Sequence, residues 1–371
     1  MTRRMKALVT SSYPAPYRVG VFQELSKYFD LDVFFDTSQN ENRNAQWFCK
    51  SGVFSFEILN NRESWRHFKE KLKRIRQYDF ILAYDYTRRP SRHAIMQCRL
   101  HGVPFFLNCD GSIPHRGWFR NLVKWLVYPF IFKGAAACFA SGQSAVQNYL
   151  KYGARREKIF IHHFTSLTEQ DILSEPIAEE EKRKLKTSLG LEDKPLVLAI
   201  GQFIPRKGFD ILLKAWKAVS CEAVLLLIGG GDDRPLYERI IHESQLDKVI
   251  IRDYMPKREV YKYYQAADLF VLPTREDIWG LVVNEAMAQG LPIVTTDKCV
   301  AGVELVENGL NGYVVKTGSE CELAEKINAL LEHPEDMATI AKNNLSKMKG
   351  WTMANVALNH VEVIKKTLNE G

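Results

Sequence analysis

The sequence predicts an α/β protein made of two doubly wound domains, each a parallel sheet with helices on both faces. Three observations lead there. Short apolar runs alternate with amphipathic stretches in both halves of the chain, as β-α-β units require. The alternation breaks once, between about residues 166 and 194, where Pro176, Pro195 and the charge run Glu179–Lys186 mark a junction. The length of 371 residues suits two domains of ordinary size.

In the first half, Met5–Thr10 reads as a strand, Val19–Tyr28 as a helix and Leu31–Phe35 as the next strand. Ser64–Arg76 reads as a basic helix because Trp65, Phe68, Leu72 and Ile75 recur at helical spacing. Phe80–Tyr84 and Val103–Leu107 are short, wholly apolar strands. Past the junction the alternation restarts. Leu196–Ile200, Ala223–Ile228, Val249–Arg252, Leu269–Leu272 and Pro292–Thr295 read as strands. Gly208–Ala218, Tyr237–Gln245, Val260–Ala267 and Leu281–Gln289 read as the helices between them. The expected division is 1–172, 173–350 and a last segment, 351–371.

Composition excludes several classes. Apolar residues at 46% and charged residues at 26% leave no room for disorder, collagen or a long coiled coil. The most apolar window, Leu122–Ala140, is broken by Lys124, Pro129 and Lys133, so no run long enough to span a bilayer exists. Ala7–Val9, after basic Arg3, Arg4 and Lys6, is too short for a secretory core. Seven widely spaced cysteines without a C-x-x-C fit neither a disulfide framework nor a zinc site, and suit a reducing compartment. A cytoplasmic location is expected. The net charge of +7 is uneven: residues 1–173 hold 26 Lys/Arg against 14 Asp/Glu, and the remainder holds 25 against 30. A basic first half attracts anionic lipid or phosphorylated ligands. No nucleic-acid-binding module accompanies it.

The segment Leu272–Gly290 carries the strongest chemical signal. An apolar run ends at Pro273, a loop brings Glu276 and Asp277, and Gly280 opens a helix bearing Glu285. A helix N-terminus suits a phosphate, and carboxylates beside it accept hydrogen bonds from sugar hydroxyls. Gly201–Asp210 also follows a strand and opens a helix, with Arg206 and Lys207 in its turn. Fixed cations of this kind stabilise negative charge on a bound group.

These segments resemble the retaining glycosyltransferases of the GT4 type, built on the GT-B fold of two Rossmann-like domains facing a cleft. Asp277 and Glu285 match the two acidic positions of the family's E-x7-E motif. Asp stands where Glu is commoner, and Glu276 beside it competes for that position. By the resemblance, Asp277 contacts donor-sugar hydroxyls, Glu285 holds the ribose, and the amides of Gly280 and Leu281 face the phosphates. Ile278 and Trp279 line the same loop. Lys207 matches the family lysine; Gln202 replaces the usual arginine, which leaves Arg206 as the second cation. Gly229–Asp232 matches the Gly-rich turn, Tyr254 and Met255 fall where the nucleotide base sits, and Trp351–Lys366 matches the helix that crosses back to the first domain. The likeness is strongest over residues 195–335.

In the first domain the resemblance implies a Gly-rich loop after the first strand, of which only Gly20 remains, with Arg18 as a candidate phosphate contact. Asp110 falls where relatives place an acceptor-side histidine, with His115 five residues on. His162-His163 reads as packing near the hinge, and Asp30-Leu-Asp32 as a chance match to a metal-binding D-x-D. The helix around Arg116–Tyr128 mixes cations and aromatics in a pattern that suits a membrane interface. The resemblance therefore implies transfer of a sugar from a nucleoside diphosphate donor, UDP before GDP, to a glycan or lipid-linked saccharide, with domain closure excluding water. Neither cofactor nor metal is expected. A nucleotide-sugar epimerase, a glucan polymerase and an inactive membrane-associated partner protein with the same fold remain as alternatives.

Overall fold

A computed structural model of the chain describes residues 3–38, 49, 54–109 and 118–369, with the backbone alone for 118–123. The chain divides into two units: residues 1–166 together with 351–371, and residues 167–350. Residues 167–172 thus group with the second unit, where the amide of Leu173 bonds the carbonyl of Ala288 and Asp171 pairs with Lys257.

The first unit runs β1 (Lys6–Ser11), α1 (Pro16–Leu25), β2 (Asp30–Phe35), β3 (Phe56–Ile58), α2 (Arg62–Lys73), β4 (Phe80–Tyr84), α3 (Arg89–His101), β5 (Phe105–Cys109), α4 (Trp118–Gly134), β6 (Ala137–Ala140), α5 (Gln143–Lys151) and β7 (Ile159–Ile161). Its strands form one parallel sheet, ordered β3-β2-β1-β4-β5-β6-β7. The apolar run Phe80–Tyr84 is a central strand as read from the sequence, while the run read as Val103–Leu107 forms its strand two residues later, at Phe105–Cys109; both strands are buried along their whole length. Helices α2 to α5 pack on one face around Phe68, Ile95, Phe132 and Tyr149.

The second unit runs α6 (Glu179–Ser188), β8 (Leu196–Ile200), α7 (Phe209–Trp216), β9 (Val224–Ile228), α8 (Arg234–Glu243), β10 (Val249–Arg252), α9 (Lys257–Ala266), β11 (Leu269–Leu272), α10 (Leu281–Ala288), β12 (Ile293–Thr296), α11 (Val300–Leu305), β13 (Gly312–Val315), α12 (Glu320–Leu331) and α13 (Pro334–Met348). Its parallel sheet is ordered β10-β9-β8-β11-β12-β13. The charge run Glu179–Lys186 is helix α6. Its Lys182 and Lys186 reach the buried carboxylate of Asp268 at 3.0 and 2.8 Å, which fixes the helix to the start of β11. After α13 the chain returns to the first unit as α14 (Met353–Asn369), which packs with α1 on the sheet face opposite α2–α5.

Three helices begin three residues before the start that apolar periodicity predicts. Helix α1 begins at Pro16 instead of Val19, α8 at Arg234 instead of Tyr237, and α9 at Lys257 instead of Val260. A proline stands at each start: Pro16 and Pro235 in the first turn, and Pro256 at the cap position just before Lys257. Proline's fixed φ suits a helix start, and its missing N–H is one the first turn leaves unpaired anyway.

Candidate functional site

In the second sheet the order reverses between β8 and β11, so the loops after these two strands leave adjacent C-terminal ends in opposite directions. Ligands of doubly wound sheets bind at such a point. The loops are Gly201–Gly208 and Pro273–Gly280, the two segments that carried the chemical signal. They are bound to each other through the backbone. The carbonyl of Arg206 accepts from the amide of Arg275 at 2.8 Å and from the Thr274 hydroxyl at 3.0 Å. The Arg206 guanidinium returns a bond of 2.7 Å to the carbonyl of Glu276.

Between these strands lies an ion pair. Lys207 bonds Asp277 directly, and the two side chains are only 11% and 13% exposed. Arg206 stands 3.8 Å from the other oxygen of Asp277, which also faces the Trp279 amide at 3.4 Å. Burial pushes the Asp277 carboxyl up. The charge and hydrogen bond of Lys207, with Arg206 and the Trp279 amide, outweigh it and hold the group below the usual carboxylate range. Of the two competing carboxylates, Asp277 is therefore the one that joins the cations. Glu276 is half-buried and contributes its carbonyl.

Gly280 begins α10 in the left-handed region, at φ +99°. A Cβ there would lie 2.8 Å from Sγ of Cys299, so backbone conformation and space both select glycine. Trp279, 3% exposed, anchors the turn by donating its indole N–H to Asn284 at 2.8 Å. Ile278 points outward at 43% exposure, and Leu281 is half-buried at the first helical position. One turn on, Glu285 accepts from the Tyr264 hydroxyl of α9 at 3.1 Å. That buried phenol is pushed well above its ordinary range, by burial first and by Glu285 second.

Gly229 ends β9 so close to β8 that a Cβ would meet the carbonyl oxygen of Gly201 at 1.9 Å. Tyr254 and Met255 follow β10, on the same C-terminal edge; Tyr254 is 53% exposed. The structure thus brings Arg206, Lys207, Glu276, Asp277, Gly280 and Leu281 into contact or sequence neighbourhood at one sheet edge. Glu285 sits below them on α10, with Gly229, Tyr254 and Met255 farther along that edge.

In the first unit two expectations change. Arg18 and Gly20 lie within α1 and not in a loop. Gly20 faces α14, where a Cβ would meet Sδ of Met353 at 2.4 Å, so its place is explained by helix contact. Arg18 is 5% exposed and lies 4.2 Å from the centroid of the Tyr84 ring. Asp110 and His115 lie outside the described residues. His162 is buried and shares Asn108 with His360 of α14, at 3.3 and 3.0 Å, while His163 stacks on Trp351 at 4.2 Å. Asp32 takes hydrogen bonds from Tyr78 at 2.6 Å and Lys71 at 3.0 Å at the start of β2, the end of the strand remote from the sheet's C-terminal edge.

Sequence reasoning missed Arg275. It pairs Asp210 through two bonds of 2.8 and 2.7 Å and donates to the Pro205 carbonyl at 2.6 Å, clamping the cation turn to the acidic loop. Its position inside the motif was visible; the partner 65 residues away was not.

Residues 181–347 match the model of the family described as glycosyl transferases group 1. The alpha-D-kanosaminyltransferase of Streptomyces kanamyceticus is 28% identical over 229 residues, 60% of this chain; the match spans 58% of that protein's own length. The N,N'-diacetylbacillosaminyl-diphospho-undecaprenol alpha-1,3-N-acetylgalactosaminyltransferase of Campylobacter jejuni is 26% identical over 71% of this chain and 67% of its own. Among solved structures, HepE of Anabaena in complex with UDP and glucose superimposes with a TM-score of 0.76 at 19% identity, covering 98% of this chain and all of HepE. The lipopolysaccharide outer core galactosyltransferase WaaB gives 0.69 at 14% identity, over 98% and 99% of the two chains. These likenesses show the GT-B fold. The acidic motif at the switch point of the second sheet thus lies inside residues 181–347, the part of the chain that is similar to the glycosyl transferases group 1 family.

Proposed function

We propose that this protein is a retaining glycosyltransferase that moves a sugar from a nucleoside diphosphate donor, UDP before GDP, to a hydroxyl of a glycan or lipid-linked saccharide in bacterial surface polysaccharide synthesis. The observation that carries the reading is the meeting of Lys207, Arg206, Asp277 and the α10 N-terminus where the second sheet reverses.

The chemistry follows from the charges. As the bond from the anomeric carbon to the phosphate oxygen breaks, negative charge develops on the diphosphate. Lys207 offers three N–H donors and Asp277 takes one, so the ammonium can be held by Asp277 while facing a phosphate. Arg206 and the first amides of α10 add to the same field. The acceptor oxygen forms its bond on the face the diphosphate leaves, and its proton passes to the departing phosphate oxygen. No dedicated protein base is used, and the fixed cations stand where other enzymes place a metal. Glu285, oriented by Tyr264, takes the ribose hydroxyls, and Asp277 the donor sugar through whichever oxygen faces it. The basic first unit meets an anionic membrane on its cytoplasmic side, which brings it to a lipid-linked acceptor.

The test is thermal stabilisation by a panel of nucleotides and nucleotide sugars, followed by transfer assays in which the anomeric configuration is read by NMR. A donor at 100 times its dissociation constant stabilises by about 2.7 kcal/mol. One diphosphate series should shift the melting point, and Glu285→Ala should abolish the shift. A silent panel, or an inverted anomeric product, overturns the reading. Conversion of the donor sugar with no acceptor present would establish the epimerase instead.

A further inference from the structure

Helix α9 carries Tyr261 and Tyr264 three residues apart, so both lie on one side of it. Their rings meet edge to face, with centroids 5.8 Å apart. Tyr264 is fully buried and donates its hydroxyl to Oε2 of Glu285 at 3.1 Å. The hydroxyl of Tyr261 is buried as well, yet it makes no hydrogen bond with any described residue. Its surroundings are polar. Lys257, one turn earlier on α9, lies 5.1 Å from the Tyr261 ring centroid and bonds Asp171 at 2.8 Å. Gln289, one turn beyond Glu285 on α10, donates to the Asp171 carbonyl at 2.6 Å. Tyr261 therefore stands where the segment bearing Asp171 meets α9 and α10. Burial pushes its phenol well above the ordinary range, and the charges of Glu285 and then Asp171 act in the same direction, so the hydroxyl keeps its proton. A buried donor left unused is destabilising, so its place calls for a reason. Asp171 already takes Lys257 and both the amide and hydroxyl of Thr168 on its Oδ2. Glu285 is the other carboxylate whose charge reaches the phenol.

We infer that Tyr261 is a positioning residue for the nucleotide ribose: its hydroxyl donates to Glu285 once the 2′- and 3′-hydroxyls engage that carboxylate, so that both phenols of α9 hold Glu285 in the bound state. This rests on the reading of Glu285 as the ribose contact. A carboxylate has about four acceptor positions, enough for two phenols and a vicinal diol. The terminal torsion of a glutamate is soft, and a second donor from another direction narrows it. The unliganded fold thus carries a donor whose bond is made only with the nucleotide in place, which is how a binding site trades stability for affinity.

Calorimetric titration of the full chain with UDP and GDP, and with the 2′,3′-dideoxy form of whichever binds, tests this. The wild type should bind the ribonucleotide at least about tenfold more tightly than its dideoxy form. Tyr261→Phe should lose about tenfold in affinity for the ribonucleotide and little for the dideoxy form. Its thermal midpoint should hold or rise, because the oxygen removed has no partner in the unliganded fold. Tyr264→Phe is the contrast: it strips Glu285 of a standing donor and should lower affinity and midpoint together. A Tyr261→Phe protein that keeps the full preference for the ribonucleotide, or that weakens equally toward both nucleotides, overturns the inference and leaves the transferase reading standing. A wild type that binds a diphosphate without preferring the ribose form removes Glu285 from the ribose, and the inference with it. Binding of neither diphosphate overturns the transferase reading and the inference together.

Discussion

Replacing Lys207 with Met tests whether the ion pair at the switch point is structural as well as chemical. Met keeps much of the stem and removes the charge. Asp277, with a side chain only 13% exposed, then loses the partner that contributes most to holding its charge. Breaking a buried pair from one side costs about 3–5 kcal/mol. Arg206, 3.8 Å from the other carboxylate oxygen and itself 37% exposed, replaces part of the lost attraction, which favours the lower end. For a unit of this size each kcal/mol moves the midpoint by about 2–4 °C, so a fall of about 6–12 °C is expected. The double variant Lys207→Met/Asp277→Asn should recover most of it, since the uncompensated charge is gone. The pH dependence has a definite sign. In the wild type the Asp277 carboxyl is lowered by folding, so its contribution is present above the unfolded pKa and lost as pH falls through the folded one. In Lys207→Met burial acts with less opposition, the carboxyl rises, and acid neutralises it. The stability gap between variant and wild type should therefore narrow as pH is lowered from 7 toward 5. Scanning calorimetry of the three proteins decides the matter. A single variant within about 0.5 kcal/mol of wild type, or a double variant no better than the single, would refute the argument that a buried, mutually dependent pair sits there.

Other consequences are as definite. Gly280→Ala places a Cβ 2.8 Å from Cys299 Sγ at φ +99°, and denaturant unfolding should show a loss of about 1–3 kcal/mol. Arg275→Lys keeps a cation but not the two-pronged contact with Asp210. Because Arg275 is 40% exposed, stability should change by less than about 1 kcal/mol, while the donor's KM rises as the cation turn loosens; an unchanged KM would remove Arg275 from the positioning role. His360 is buried and held neutral, its pKa pushed down to about 4 by burial against the pull of its bond to the Val356 carbonyl. A histidine lowered by folding loses stability as pH falls below its unfolded value of 6.5. The full effect is about 3 kcal/mol by pH 4, and His162, lowered by burial beside it, steepens the same limb. Urea unfolding between pH 7 and 5 should follow that slope; a flat profile would show that neither histidine is held neutral.

Much of the first-order architecture was legible along the chain because it depends on near neighbours. A parallel strand buried on both faces must be a continuous apolar run, which is why Phe80–Tyr84 and Leu196–Ile200 could be read directly. The E-x7-E spacing survives folding because Asp277 and Glu285 are joined by one turn and one short helix. Helix starts were displaced because periodicity reports the buried face, while the first turn is set by proline at positions that need not be buried.

The rest depended on residues distant in the chain. Asp277 and Glu276 are neighbours with the same chemistry. Only the return of the Lys207 turn, 70 residues earlier, decides which carboxylate is held among cations. Gly20 appeared as the remnant of a phosphate loop until α14 arrived against it from the far end of the sequence. Sequence alone determined most of the central strands, the helices beside them in the second unit and the loops that carry charge, because covalent neighbours and alternation settle those. Tertiary structure decided which charges meet, since ion pairing and burial depend on strand order, and a strand order that reverses between β8 and β11 is written in no single stretch of chain.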